Sequence, residues 1–390
     1  MTKTVAIIGT RGYPSYYGGF ETAVRRLAPH LVDSGWDVVV YGRSGAIKND
    51  DKGVDRRVVS RCTSGLATKS LSTLSHGLSA STDAARRKPD VALVMNVANG
   101  FWLPMLKARG IPTLVNVDGI EWEREKWGTL AKQMFFAGAR LTARYGTRLV
   151  FDALEVGRRW GDTFGRGGAF IPYGGDMLED LPLEPGLAHR RYALMVARFV
   201  PENTVNEFLQ AAEEIGRQHD VVIVGSSGYQ SELDTKVATL AADNPRITWL
   251  GHLNSDSRLH SLWQHAGAYF HGHSVGGTNP ALVQAMAAGA PVIARDNAYN
   301  REVLADTGTF VAPKPVDIAQ GVLRLLDSPD EQARLSSAAQ FRAGDSYSWE
   351  GVCSRYEEEL ADLRHRGNRG QDRATDVIHT PPAVGVPIHG

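Results

Sequence analysis

Three short stretches bring together groups that could act on an anionic, oxygen-rich ligand. The first is AYFHGHSVGGTNPALVQAMAAGAPVIA, residues 268–294, in which Gly276 and Gly277 precede the pair Asn279-Pro280. Asn is a strong N-cap and Pro suits the first helical position, so the pattern predicts a helix from about Pro280 to Ala288, ended by Gly289. A helix N-terminus presents unpaired N–H groups and the positive end of its dipole, and glycine lets backbone approach a ligand closely. The loop Ser274–Thr278, with His271 and His273 beside it, is therefore read as an anion or sugar site in preference to an ordinary strand–helix crossover.

The second stretch is VNVDGIEWEREKW, residues 115–127. Asp118 falls directly after an apolar strand and Gly119 lets the chain turn; a plain turn aspartate is the competing use of an Asp-Gly pair. The third is centred on Arg198, which follows the strand Tyr192–Ala197. A guanidinium there can grip phosphate through two bonds, or else make a surface ion pair. Asp118 and Arg198 both lie beyond the carboxyl ends of strands, where open α/β sheets bind their ligands.

The elements that must position these residues alternate. Apolar runs at Thr4–Gly9, Asp37–Tyr41, Val91–Met95, Pro112–Val117 and Arg148–Phe151 read as strands. Helices are expected near 21–34, 98–109, 124–145 and 153–164, the third beginning at Glu121 and Trp122. The polar region 44–72 carries no pattern that decides whether it is ordered. A second set follows, with strands at Tyr192–Ala197, Asp220–Val224, Arg246–Leu250, Ala268–Phe270, Pro291–Ala294 and Thr309–Val311. Its helices fall near 229–242, 256–266, 279–288, 300–305, 316–327, 330–341 and 349–363. Buried strands alternating with helices imply parallel sheets covered on both faces, hence an α/β chain of two Rossmann-like units. The Pro/Leu/Glu-rich segment after FIPYGGD, to about His189, reads as the linker, and 365–390 as a disordered Gly/Pro-rich tail.

A length of 390 residues suits two domains, each able to bury a core. A dinucleotide fold is excluded. The G-x-G-x-x-G spacing is absent after the first strand, and the second strand ends in VVVYGR with no acidic residue to hold a ribose. Two cysteines cannot frame disulfides, and Met1 runs almost at once into a strand, so a cytoplasmic protein without a signal peptide is expected. Formal charge is zero overall, but residues 1–180 hold 25 Lys/Arg against 18 Asp/Glu, a net +7 that the remainder balances. With the basic and aromatic helix near 124–145, that bias points the first half toward an anionic membrane surface, unless the charges merely solvate a packed helix.

Six segments in order, YYGGFETAVRRLAPHL, VNVDGIEWEREKW, FIPYGGD, ARFVPEN, HGHSVGGTNPALVQAMAAGAPVIARDNAYNREV and YSWEGVCSRYEEEL, span residues 3 to about 364. Together they resemble the GT-B retaining glycosyltransferases of family four, within it the bacterial rhamnosyltransferase-like branch. The resemblance implies two Rossmann-like domains facing a central cleft: an acceptor domain over 1–178 and a nucleotide-sugar donor domain over 190–348. A helix over 349–364 would cross back to the first domain. The implied reaction moves a sugar, rhamnose among the candidates, from a nucleotide diphosphate donor to a glycan or polyprenyl-diphosphate-linked acceptor in cell-surface polysaccharide synthesis. Retention of configuration, no metal and no cofactor are implied with it, and no nucleic acid partner. Localisation would be cytoplasmic, on the inner face of the membrane.

Position by position, the resemblance puts Gly18 and Gly19 near the donor phosphate and Tyr17, Glu121 and Trp122 near the acceptor. Asp118 takes the catalytic place where the broader family has a His or Asp touching the transferred sugar. Arg198 takes the place of the diphosphate-binding arginine, and His273, Gly276, Gly277, Thr278 and Asn279 line the donor. The family's lysine five residues after that arginine is Asn203 here, and its Glu-seven-residues-Glu pair is Gly276 and Gln284. Gln284 can offer an amide to a ribose but no carboxylate. Two other classes stay open: an epimerase or hydrolase of the same fold, which needs no acceptor, and a non-catalytic nucleotide-sugar binder.

Overall fold

The computed structural model describes residues 3–15, 18–43, 53–65, 72–125, 127–228, 231–253 and 255–367. These form two compact units, one built from the described residues of 1–123, 127–172 and 352–390, the other from 124–126 and 173–351.

The first unit runs β1 (Lys3–Ile8), α1 (Gly19–Asp33), β2 (Trp36–Arg43), β3 (Val59–Thr63), α2 (Ser72–Arg87) and β4 (Val91–Met95). It continues with α3 (Leu103–Ala108), β5 (Thr113–Asn116), α4 (Thr129–Tyr145), β6 (Arg148–Phe151), α5 (Leu154–Phe164) and β7 (Ala169–Phe170). All seven strands are parallel, in the order β3-β2-β1-β4-β5-β6-β7. The central strands β4 and β5 are buried at every residue, as a sheet covered on both faces requires. In α1, Ala23, Val24, Leu27, Ala28 and Leu31 recur at helical spacing and are the buried stripe.

The second unit begins β8 (Tyr192–Val196), α6 (Val205–Ile215), β9 (Asp220–Val224), α7 (Glu232–Asp243), β10 (Ile247–Trp249) and α8 (Asp256–His265). After these come β11 (Ala268–His271), α9 (Pro280–Ala287), β12 (Val292–Arg295), α10 (Ala298–Leu304), β13 (Gly308–Val311), α11 (Pro315–Leu326) and α12 (Pro329–Ser346). Its sheet is parallel too, in the order β10-β9-β8-β11-β12-β13. Alternation along β8 sorts the core: Ala193 and Met195 face α6 and α11, whereas Tyr192 and Leu194 face the opposite layer with Met286 of α9. The last helix, α13 (Trp349–Gly367), starts in this unit and belongs from Val352 onward to the first. There Lys3 and Trp36 Nε1 bond Glu357, and Arg148 bonds Glu359 and Asp362.

Several expectations are corrected. The polar region 44–72 holds β3, and α2 opens at its end; 44–52 and 66–71 lie outside the described residues. The edge strand VSRCT is mostly polar, and α2 buries only Gly77, Ala80, Ser81, Ala84 and Ala85, so neither shows a strong apolar period. Glu121–Glu123 is an isolated 3-10 turn and α4 starts only at Thr129, after Gly128. Similarly, 97–102 is a 3-10 helix capped by Asn96 before the short α3. The expected linker is fastened along α8: Leu181 N–H donates to Gln264, Ser261 to the Pro182 carbonyl, and Arg258 pairs with Glu184. The expected tail lies outside the described residues from 368 onward. Among the described residues no helix is long and apolar enough to cross a membrane.

Candidate functional site

Each sheet switches chain direction at its first strand. In both, β1 and β8 have neighbours reached by opposite crossovers, which opens a crevice at the carboxyl edge.

In the second unit that edge gathers Arg198, the loop 272–279 and Arg295. Register fixes this, because Phe270 lies opposite Met195 and His271 opposite Ala294, so the residues that follow emerge side by side. Arg198 is exposed, and among the described residues its guanidinium makes no hydrogen bond or ion pair. Its carbonyl accepts from Asn203 Nδ2 at 2.8 Å. Asn203 is 3% exposed, so it braces the arginine turn rather than lining a donor cavity, a correction to its expected role. Thr204 follows with a φ of +56°; its hydroxyl donates to the Gly272 carbonyl at 2.6 Å and accepts from Arg295 Nη1 at 3.0 Å.

The loop itself is held from both sides. Ser274 N–H donates to the Glu202 carbonyl, and Asn297 and Asn300 both donate to the His273 carbonyl. Gly276 has a φ of +122°, a conformation that only glycine adopts without strain. Thr278 is buried, and Asn279 caps α9 as its sequence requires, Oδ1 accepting from Ala281 N–H at 2.9 Å. His271 and His273 stack with ring centroids 4.4 Å apart, and Tyr269 hydroxyl lies 3.0 Å from His271 Nδ1. Among the described residues, His271 Nε2 and His273 Nδ1 are buried with no partner. Burial, with the Arg198 guanidinium nearby, holds the His273 imidazole down at about 3, and burial next to His273 depresses His271 well below its ordinary value. Both rings are therefore neutral at pH 7.

Gln284 departs from expectation. Its Oε1 accepts from Asp176 N–H and its Nε2 donates to the Asp176 carbonyl, both at 2.9 Å. Its amide clamps the Gly174–Asp176 segment instead of reaching for a ribose.

In the first unit the carboxyl edge carries Asp118, directly beyond β5. It has a φ of +62°, and Asn96, beyond the adjacent β4, has +70°. Asn96 Nδ2 donates to Asp118 Oδ2 at 3.0 Å, and Asp118 N–H donates to Asn116 Oδ1 at 2.9 Å. Gly18 ends in extended backbone just before α1, with its carbonyl accepting from Thr22, and Gly19 opens the helix. Tyr17 lies outside the described residues. Glu121 is buried and accepts from Trp127 Nε1 at 2.8 Å. Trp122 packs edge-on against Phe136, Trp160 and Phe164, so aromatic packing between α4 and α5 takes the side chain expected to face an acceptor.

Asn96, Thr204 and Arg295 were not among the expected site residues. Arg295 had a signal: like Arg198 and Asp118, it stands at the carboxyl end of a buried apolar strand. A cavity of about 660 Å³ lies elsewhere, between β3 and α2, lined by Arg61, Asp83 and Arg86 among others. Among the described residues, no group of three His, Cys, Asp or Glu could hold a metal ion.

Two parallel-sheet Rossmann-like units define the α/β class in which GT-B glycosyltransferases fall. Residues 185–342 match the family described as glycosyl transferases group 1, and residues 2–176 match a domain of unknown function, DUF1972. In sequence the chain is 24% identical over 169 residues to the O-antigen chain mannosyltransferase B of Escherichia coli, covering 42% of this chain and 44% of that one. The chain spans less than half the length of the curated relatives it matches. In structure it is similar to the sucrose-phosphate synthase of Thermosynechococcus elongatus, with a TM-score of 0.79 at 15% identity, over 93% of this chain and 100% of that one. It is likewise similar to HepE of Anabaena in complex with UDP-glucose, with a TM-score of 0.72 at 14% identity, over 93% and 100%.

Proposed function

We propose that this chain is a glycosyltransferase that moves a hexose from a nucleotide diphosphate donor to a hydroxyl of a glycan or polyprenyl-diphosphate-linked acceptor, in cell-surface polysaccharide synthesis. The observation that carries the reading is the pairing, at one sheet edge, of the unengaged Arg198 guanidinium with the glycine loop and capped N-terminus of α9. It sits inside the segment that matches the group 1 family. A UDP-glucose complex of a similar fold and a mannosyltransferase relative support a nucleotide-sugar donor. Rhamnose, implied by the sequence resemblance, and mannose are the sugars to test first.

The chemistry follows from charge. Breaking the bond between the anomeric carbon and phosphate develops negative charge on the departing diphosphate, and fixed donors at that position stabilise the transition state. Arg198 and the N–H groups of 277–279 supply them. In a retaining reaction the acceptor oxygen bonds to the same face of the anomeric carbon, and its proton passes to the departing phosphate oxygen. To Asp118, just past β5, we assign the contact with the transferred sugar that the sequence resemblance implies for it. No step calls on a metal or a cofactor. With a polyprenyl-linked acceptor, which stays in the bilayer, the enzyme would work at the inner face of the membrane.

A panel of UDP-, GDP- and dTDP-sugars tests the reading. The true donor raises the unfolding midpoint by mass action, and label then moves from it to a lipid-linked or glycan acceptor. A second reading, a binder without transfer, is favoured by Gln284, whose amide is committed to Asp176 where the family has a carboxylate. Donor binding with no transfer to any acceptor would select it, and donor turnover without an acceptor would select an epimerase or hydrolase.

A further inference from the structure

We propose that Asn96 is a positioning residue that sets the Asp118 carboxylate for glycosyl transfer, an inference that rests on the function proposed above. Among the described residues six non-glycine positions have positive φ, and two of them, Asn96 and Asp118, meet at neighbouring strand ends. Met95 lies opposite Asn116 in the β4–β5 ladder, so the chain leaves both strands at the same level. Left-handed backbone at such residues is strained and persists only where the surroundings over-determine it, typically at working sites. Here the surroundings do so. Asn96 N–H donates to the Asn116 carbonyl at 2.9 Å, and Asn96 Oδ1 accepts from Ala98 N–H at 2.8 Å.

That second bond turns the amide so that Nδ2 faces Asp118 Oδ2 at 3.0 Å. On the other side Asn116 Oδ1 accepts from Asp118 N–H, and Asn116 Nδ2 donates to the Tyr356 hydroxyl at 2.7 Å. Tyr356 is buried on α13, so the chain of contacts ends in a side chain that cannot move freely. A neutral amide is the right partner for this purpose. It fixes one carboxylate oxygen without cancelling the charge that a sugar hydroxyl would meet.

Two substitutions separate positioning from mere support of the turn. Asn96→Gly keeps the backbone freedom but loses both side-chain bonds. Asn96→Asp keeps the shape, the tolerance of positive φ and the oxygen that caps Ala98, yet replaces the donor to Asp118 by a like charge. If Asn96 positions Asp118, kcat falls about tenfold in Asn96→Gly and about a hundredfold in Asn96→Asp, while the KM for donor stays within about twofold. If Asn96 only supports the turn, the order reverses and Asn96→Asp is the more active of the two, which overturns the proposal. Urea unfolding reads the same contact without any substrate, and so holds whether or not a donor is found. The exchanged pair Asn96→Asp with Asp118→Asn restores donor to acceptor and should regain the stability lost in Asn96→Asp. A pair whose losses simply add would also overturn it. A wild-type protein that transfers no sugar while the exchange recovers stability would sink the function and leave the contact standing.

Discussion

The two sheet edges are built on opposite plans. At the first, hydrogen bonds brace Asp118 from two sides: Asn96 donates to its carboxylate, and Asn116, itself bonded to Tyr356, accepts from its N–H. At the second, groups are left incomplete. Among the described residues Arg198 makes no hydrogen bond or ion pair through its guanidinium, and His271 Nε2 and His273 Nδ1 are buried with no partner, as Asn99 Oδ1 is in the first unit. Buried polar atoms without partners cost free energy, and a ligand that bonded them would recover it. On the function proposed above, we read the first edge as serving placement and the second capture. Losses at the first should therefore appear in turnover, and losses at the second in affinity.

The largest effect is expected at Asp118. Asp118→Asn should lower kcat about a hundredfold, or about 2.7 kcal/mol of barrier, with donor affinity nearly unchanged. Steady-state kinetics on the identified donor would show it. Normal turnover in this variant would reduce Asp118 to a turn residue and erase the contrast between the edges.

Arg198→Ala tests the other side. A charge-assisted bond to diphosphate contributes about 1.5–3 kcal/mol, so donor affinity should fall about ten- to a hundredfold with the fold intact. Calorimetry with donor, or with the nucleoside diphosphate alone, measures this. An unaltered dissociation constant would remove Arg198 from the site.

Much of this arrangement was legible in the chain. Strand–helix alternation gave two parallel sheets, and Asp118 and Arg198 stand just past strands as the alternation places them. Asn279 and Pro280 announced the start of α9, where the structure puts it. What could not be read was the partner of each polar side chain. Asn203 and Gln284 sit at family positions, yet their amides face Arg198 and Asp176, because those partners come from sequence separations of 5 and 108. Trp122 went astray for a related reason: only the fold brings Trp160 and Phe164 to it. The helix α2 was hidden because it packs through Gly, Ala and Ser rather than large apolar side chains.

The stacked histidines give a smaller, pH-dependent test. Their folded values lie below the ordinary 6.5, so the unfolded chain binds more protons as soon as the pH drops under that value. Their contribution is complete above about pH 6.5 and is lost as pH falls from there toward about 3 for His273. Each ring can remove at most about 2 kcal/mol by pH 5, at about 1.4 kcal/mol per pH unit. Carboxylates with depressed values act only at lower pH, which leaves the window from 7 to 5 to the histidines. His76 and His189 are depressed as well, so the control is His273→Gln, in which urea unfolding should show a flatter slope across that window. An equal slope in the variant would mean that His273 is already accessible to protons when folded.

The smallest effect concerns the surface of the first unit and sharpens the contrast in a different way, since placement of an acceptor begins with meeting it. On α4, Leu130 is 73% exposed and Phe136 36%, with Arg140 and Arg144 exposed on the same helix. The Arg140 guanidinium lies 6.0 Å from the Phe136 ring, and that of Arg144 lies 5.4 Å from Tyr145. Apolar tips among cations suit an anionic lipid surface, where each basic residue contributes about 1 kcal/mol. The same helix buries Gly138, Ala139 and Thr142, so a packed helix with solvating charges accounts for its other face. Co-sedimentation with vesicles decides between these uses. Binding to phosphatidylglycerol vesicles but not to phosphatidylcholine vesicles, lost at high salt and weakened in the variant Arg140→Gln with Arg144→Gln, is the expected outcome. Equal partition to both vesicle types, or to neither, would leave the charges as solvation alone and make a soluble glycan the acceptor to pursue.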